Sequence, residues 1–512
     1  MKTQKLLPIL LILLFAKISS YAQPESFYHE FSIYYNDSVT LFCNQNSFQI
    51  SDSTYLSSGN YGPGFYGLAG RVIWDSAGNV LDARYLDVDE SFYLNGLARI
   101  DSNRFLLYGE FDLYHDVTGN YIDMAAAMVC FNQNGDLLWQ KAYGGYAPGY
   151  PDIEEPSYNY SDAFGHVEID TLNQRIYAMG YSESFNEEHK AAPYIVCTDY
   201  NGETIWTWVM PDLPEYDGGG FLFESIITSN DEILVVGKIR ISETSTEDVN
   251  PTRGIIIKLS PDGEMLWHKT WGYNNASTAD VIEISPGRYV MGGIHVNTGG
   301  MYGISSGHLV KFDDAGNFLT EKEITRGDNS VIRLYKLFKN DDGFAVLGVF
   351  RIRDNGEIID DNFYINEYSY DLDLTCEHNY VDTICSNGAF DLRGISKTYD
   401  GGFLFTGFFD NNVVMKSDSE LNLPLSEGWD AVEEKQVNKN ITLYPNPVSN
   451  ILYVNNPENV AIRKITIYDL SGRKIMEKHC YENDAHINLS NIEKGMYIIK
   501  INNSYTEKLI KR

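Results

Sequence analysis

Few residues in this chain stand at spacings that could do chemistry. Gly303-Ile-Ser-Ser-Gly307 fits the Gly-x-Ser-x-Gly pattern of a nucleophilic serine, but that motif needs a strand running into a helix, and here it sits in a Gly-rich loop with Gly299 and Gly300. Gly62-Pro-Gly-Phe-Tyr-Gly67 matches a dinucleotide fingerprint by letter, yet no βαβ pattern surrounds it, so it reads as a loop. Metal-ligand spacings are thin. The ten histidines are scattered, and neither Cys-x-x-Cys nor His-Glu-x-x-His occurs. Asp87-Val-Asp-Glu90, Asp152-Ile-Glu-Glu155 and Asp360-Asp361 offer carboxylate oxygens of the kind calcium takes, but no ligand spacing recurs, so they read as solvated loop residues. Calcium is the only cofactor left open. No catalytic, cofactor-binding or metal residue is assigned.

Six cysteines in 512 residues are too few for a disulfide-built scaffold. Cys130 and Cys197 hold equivalent places in equivalent strands and read as packing. Cys376 and Cys385 flank a polar stretch and are the one candidate disulfide.

The elements that would carry any site are strands. One half of a repeat is strand, turn, strand: Met128-Val-Cys-Phe-Asn-Gln-Asn-Gly135-Asp-Leu-Leu-Trp139, Ile195 to Trp206, Ile256 to Trp267, Arg71 to Leu81 and Leu309 to Leu319, with degenerate copies from Ile365 and Val414. The turns align at 78, 135, 202, 263, 316, 371 and 421. Asn-Gly and Asp-Gly supply the positive φ that tight hairpins need. The other half is again strand, turn, strand and mostly closes on glycine. It ends at Gly109, Gly180, Gly237, Gly292, Gly348 and Gly407, with Ser32 to Cys43 as the first copy. Seven interleaved copies of each half predict an all-β fold, a seven-bladed β-propeller over residues 23–428.

Trp139, Trp206 and Trp267 each fall four residues after the turn glycine. This spacing resembles the repeat of PQQ-dependent dehydrogenases and related outer-membrane assembly propellers, and also generic repeats of exported cargo. The resemblance implies that these Trp side chains pack between adjacent blades. Only three units carry the Trp, and no acidic set for a quinone or calcium can be carried over. The Asp-box of sialidases places its Trp three residues after the glycine, so that family is not carried across.

Both termini carry addresses. Lys2 and Lys5, the apolar stretch Leu6 to Ala16 and the small residues ending at Ala22 have the layout of a secretory signal peptide over 1–22, cut between Ala22 and Gln23. The apolar stretch is too short to span a bilayer, and no transmembrane segment is expected in the mature chain. After a polar linker at 429–440, residues 441–512 show short alternating strands broken by Pro-Asn-Pro, Ser-Gly and Lys-Gly turns, which suits a small Ig-like β-sandwich. Tyr444-Pro445-Asn446-Pro447, the Tyr-Asp469-Leu-Ser-Gly472-Arg473 hairpin and the Gly495-Met-Tyr497 ending resemble the type A C-terminal sorting domain of type IX secretion cargo in Bacteroidota. That resemblance implies an export address read by the type IX machinery and usually clipped. The cargo would then be released or held on lipopolysaccharide, secreted or at the outer-membrane surface.

Charge narrows the partners. The chain has 71 acidic and 39 basic side chains, a net of -32, and residues 23–439 alone carry 26 basic and 64 acidic ones, a net of -38. A surface this acidic does not bind nucleic acid. The Tyr- and Gly-rich stretches Tyr55 to Tyr66, Tyr143 to Tyr150 and Tyr158 to Tyr160 suit adaptable recognition of an extracellular protein or glycan. A binding or interaction module without identifiable catalysis is therefore the expected role. The alternative is a polysaccharide hydrolase or lyase with carboxylate chemistry in the central funnel.

Overall fold

A computed structural model describes residues 27–512 except 32, 36–38, 43–45, 62–67, 89–90, 116–120, 145–159, 186–189, 243–251, 274, 297–303, 326–329, 341–342, 355–356, 381–390, 410, 419–441, 456–461, 470–473, 483–484, 491 and 502–504. Every helix or strand among the described residues is a β-strand. The chain divides into two compact units, 1–427 and 428–512.

In the large unit, four-stranded antiparallel meanders follow one another. The repeats span 47–85, 91–143, 160–209, 221–271, 276–324 and 330–380. The seventh has three strands of its own, Asp391–Lys397, Phe403–Phe409 and Asn411–Lys416, and its fourth comes from the other end of the unit: Phe27–Phe31 pairs antiparallel with Asn411–Lys416. Short parallel pairings, Met124 to Ser161 and Ser305 to Val331, join the second repeat to the third and the fifth to the sixth in the ladder.

Turn chemistry explains the hairpins. Gly78, Gly135, Gly202, Gly263 and Gly316 all have φ between 73° and 86°, and the aspartates Asp75, Asp199 and Asp313 fold back to accept backbone N–H groups within their own turns. In the sixth repeat Leu372 takes the left-handed position at φ 67°, one residue beyond the aligned Asp371.

Packing is between repeats rather than within one central core. One buried apolar cluster lies between each successive pair from the first to the seventh repeat. A further cluster joins Leu404 and Val414 of the seventh repeat to Tyr55, Val72 and Trp74 of the first. Two hydrogen bonds reinforce that junction, Thr406 Oγ1 to Ser47 Oγ at 2.9 Å and Tyr399 N to Gln49 Oε1 at 2.7 Å.

Two sequence expectations need correction. The first copy of the Gly-closing half is not Ser32 to Cys43 but Ser47 to Gly59, because Ser47–Gln49 pairs Thr54–Tyr61 as the first two strands of the first repeat. Ile33–Tyr35 and Val39–Phe42 form a separate hairpin laid against the far end of Thr54–Tyr61. Alternation alone could not separate these two hairpins; the closing glycine does. Tyr55 to Tyr61 is also strand rather than recognition loop, and Tyr55 is buried with its ring stacked on Trp74 at 4.5 Å.

The C-terminal unit has a three-stranded sheet (Thr442–Tyr444, Ile451–Asn455, Ala485–Asn488) and a four-stranded one (Lys474–Glu482, Ile462–Tyr468, Gly495–Ile501, Tyr505–Lys511). Both sheets contribute to one apolar cluster, with Leu452, Val454 and Ile487 from the first and Ile465, Ile467, Ile499, Ile501 and Leu509 from the second.

Candidate functional site

The closing glycines show how side chains are gathered at one place. In six repeats the pairing of the first two strands slips by one residue at the same phase: before Gly96, His166, Glu224, Asp280, Lys336 and Gly394. Such a bulge re-aims the residue that follows it. It also drives a main-chain carbonyl against the neighbouring strand. A Cβ on Gly109, Gly180, Gly237 or Gly348 would lie 2.0, 1.9, 2.0 or 2.4 Å from the carbonyl oxygens of Tyr93, Ala163, Phe221 and Arg333. Glycine is required there for close approach, not for an unusual φ.

Four of the six residues following the bulge are ionisable, and they meet. His166 Nδ1 lies 3.0 Å from Glu224 Oε2. Lys336 Nζ lies 2.8 Å from the same oxygen and 3.5 Å from Asp280 Oδ1. Asp280 is held further by the backbone N–H groups of Leu337 at 2.6 Å and Val281 at 2.8 Å. The His166 contact with Glu224 is one of charge and proximity, since Glu224 Oε2 makes no aligned hydrogen bond among the described residues, and the ring's other nitrogen is Nε2. That Nε2 is buried, makes no hydrogen bond among the described residues, and has Glu168 Oε2 at 3.7 Å. Gly96 leaves its place to Tyr108, whose ring atoms lie 2.0 Å from where a Cβ on Gly96 would be.

Burial and charge tune these groups. Desolvation raises Asp280 to about 6, with Glu224 adding to it, against the opposing pull of Lys336 and the two backbone donors. Burial alone would lower Lys336, but Asp280 and Glu224 outweigh it and hold the ammonium above its ordinary value. The Tyr108 phenol is pushed up, first by burial and then by the Glu224 charge. The cluster thus offers an ammonium, carboxylates, an imidazole and a neutral phenol.

The residues marked in the sequence lie elsewhere. The Trp139, Trp206 and Trp267 indoles donate to the turn carbonyls of Tyr200, Pro261 and Asp314, each in the following repeat, at 3.1, 3.0 and 3.0 Å. The turn glycines Gly202, Gly263 and Gly316 leave room for those rings. Cys130 and Cys197 are fully buried, and burial pushes both thiols up to about 12. Cys376 is exposed in Leu374–Tyr380, while Cys385 lies outside the described residues, as do Ala22 and Gln23 and the stretches 62–66, 145–150 and 158–159. No group of three or more His, Cys, Asp or Glu among the described residues is placed to hold a metal ion.

In the C-terminal unit the Pro-Asn-Pro segment is tied to the last strand. The Asn446 side chain donates to the Lys508 carbonyl at 2.7 Å and accepts from Ile510 N at 2.9 Å, and Val448 N donates to the Ile510 carbonyl at 2.7 Å. Tyr444 is exposed and stacks on Tyr453 at 5.5 Å, while Pro445 and Pro447 flank Asn446 in the same turn. Tyr497 is buried and donates its hydroxyl to the Glu493 carbonyl at 2.9 Å, two residues after Gly495 opens its strand. Asp469 follows Ile462–Tyr468; Gly472 and Arg473 lie outside the described residues. The opening and closing motifs are therefore parts of one corner. Residues 442–512 match the family described as the secretion system C-terminal sorting domain. The chain ends in such a sorting domain. Its presence supports interaction with the type IX machinery and an extracellular or surface destination. No helix among the described residues is long and apolar enough to cross a membrane.

No curated protein matches the chain. Among solved structures, the chain is similar to Drosophila Semaphorin 2a at 7% identity, covering 96% of this chain and 98% of that one with a TM-score of 0.41. The β-propeller domain of the Trilobed protease from Pyrococcus furiosus matches at 12% identity over 73% of this chain and 91% of that one, TM-score 0.35. Trypanosoma rangeli sialidase matches at 11% over 67% and 57%, TM-score 0.36. Likeness at this level carries no argument about activity or ligand.

Proposed function

We propose that this protein is type IX cargo whose large unit is a closed seven-bladed β-propeller acting as a surface or secreted binding module, with its ligand taken at the charged cluster on the propeller axis. One observation carries the reading. Lys336 of the sixth repeat bonds Glu224 of the fourth across the intervening fifth, which stacked repeats allow only on the inner side of a tightly curved ring. The apolar cluster between seventh and first repeats and the N-terminal strand in the seventh sheet support closure. The C-terminal unit is then an Ig-like sandwich that serves as the export address. The net charge of -38 keeps polyanions away, so the partner is a neutral or basic protein or glycan.

A second reading, acid–base chemistry on a polysaccharide, is favoured by His166 alone. Its Nδ1 faces the Glu224 carboxylate at 3.0 Å, and its buried Nε2 makes no hydrogen bond among the described residues, with Glu168 Oε2 at 3.7 Å. Binding of the released large unit to glycan arrays and to surface proteins tests the site. His166→Ala and Glu168→Gln, both partly exposed partners, are expected to weaken binding at least about tenfold, the loss of roughly one charged hydrogen bond. Binding untouched by both changes would remove the ligand from the axis.

A further inference from the structure

We propose that the fifth repeat holds a separate acyl-transfer site, with Ser306 as nucleophile, His308 as general base and Glu321 as the group that orients it. Ser306 and His308 stand two apart on strand Ser305–Asp313 and so share one face of the sheet. Ser306 Oγ lies 2.9 Å from His308 Nε2, and His308 Nδ1 lies 2.7 Å from Glu321 Oε1 on the neighbouring strand. With the Nδ1 proton donated to the carboxylate, Nε2 accepts from the Ser306 hydroxyl, the relation that activates a serine whatever the fold around it.

The surroundings fit that use. Trp271 from the fourth repeat meets the His308 ring edge-on at 5.3 Å and fixes its tilt. His295 pairs directly opposite Ser306 in the ladder, and its ring lies edge-on to that of His308 at 6.2 Å, a second imidazole on the same face as the serine. Tyr273 is 66% exposed and covers His295 at 4.1 Å, marking the solvent side. The neighbouring Ser305, central in the Gly-x-Ser-x-Gly string, is already committed: its Oγ donates to the Ile332 carbonyl at 2.9 Å and accepts from Ile332 N at 3.0 Å.

The step balances without a cofactor. Ser306 Oγ bonds to an ester carbonyl as its proton passes to His308 Nε2; the ester C–O bond breaks and the leaving alcohol takes that proton. Water then attacks the acyl-serine, gives a proton to His308, and releases the acid as Ser306 regains its hydrogen. Ser306 is only 3% exposed, so the substrate class is a short, uncharged acyl ester such as an acetyl group.

The test is labelling of the purified full chain with a small fluorophosphonate, mapped by peptide mass spectrometry. The label is expected on Ser306, absent in Ser306→Ala and retained in Ser305→Ala. In His308→Asn the labelling rate should fall about 100-fold or more, as loss of a general base does. Melting curves alongside each variant separate lost chemistry from lost folding, and Glu321→Gln, at an exposed position, gives a slowed label on an intact fold. A folded wild-type chain that takes no label on Ser306, or one labelled equally fast in His308→Asn, overturns the proposal.

Discussion

Replacing Gly180 or Gly237 by alanine is expected to destabilise the large unit by roughly 3 kcal/mol or more, at the upper end of what overpacking costs. The added methyl carbon would lie 1.9 Å from the Ala163 carbonyl oxygen or 2.0 Å from that of Phe221, and both obstacles are main chain in paired strands. Relief requires undoing the bulge, which would also turn His166 or Glu224 away from the cluster. Turn glycines behave differently. At Gly135, with φ 86°, the nearest atom to a Cβ is the Arg71 Nε at 3.1 Å, so its cost is conformational, about 1–2 kcal/mol, rather than a backbone clash. Urea or thermal melts of the two classes should separate. Equal and small losses at both would mean that the bulge is not what the closing glycine serves.

The second large effect lies in the cluster. Lys336→Met removes the cation shared by Glu224 and Asp280 and leaves two carboxylates facing each other with His166. Asp280 is buried but Glu224 and Lys336 are partly exposed, so breaking the pair from one side costs roughly 2 kcal/mol, less than for a fully buried pair. Its pH signature has a definite sign. Asp280 is raised from 3.8 to about 6, so between those values the folded chain holds a proton that the unfolded chain has released. That group's contribution to stability is present at low pH and lost as pH rises through about 6. Aspartates bonded to cations behave oppositely: Asp314 beside Lys258 and Asp82 beside Arg71 lie below their ordinary value, and their contribution is lost as pH falls through the acid range. Asp280→Asn should therefore gain on the wild type as pH climbs from about 4 to above 6, in melts run at each pH. A difference independent of pH would place Asp280 in a wetter setting than its 2% exposure implies.

How much of this was legible follows from what each residue type does locally. A turn glycine such as Gly202 and the apolar strands beside it are fixed by short-range rules, so all-β architecture and the repeat can be read from one sequence. Trp206 stands at constant spacing from its turn, and its indole packs against the apolar cluster between the third and fourth repeats. The cluster was not legible. His166, Glu224, Asp280 and Lys336 differ in type, and each follows a bulged residue that interrupts the two-residue alternation by which strand faces are read. Their common mark is position alone, twelve to fourteen residues ahead of the glycines Gly180, Gly237, Gly293 and Gly348; in the fifth repeat the ladder places the equivalent glycine at 293, one residue past the Gly292 expected from the sequence. Once the glycine is understood as room for a bulge, that offset points to the inward residue. Ser306, His308 and Glu321 were hidden differently: the Gly-x-Ser-x-Gly string drew attention to Ser305, whose hydroxyl the Ile332 main chain occupies. The N-terminal strand of the seventh sheet was likewise beyond reach, since no local pattern says which distant edge Phe27–Phe31 completes.

Export is the claim on which the rest depends, because a chain that stays inside the cell meets no extracellular ligand. Its most direct test is expression of the full chain and of one lacking residues 442–512 in a host with type IX secretion, followed by intact-mass measurement of the exported product. The expected product is an exported chain that begins at Gln23 and ends within 429–440, with no export of the truncated form. Equal export without residues 442–512 would contradict it.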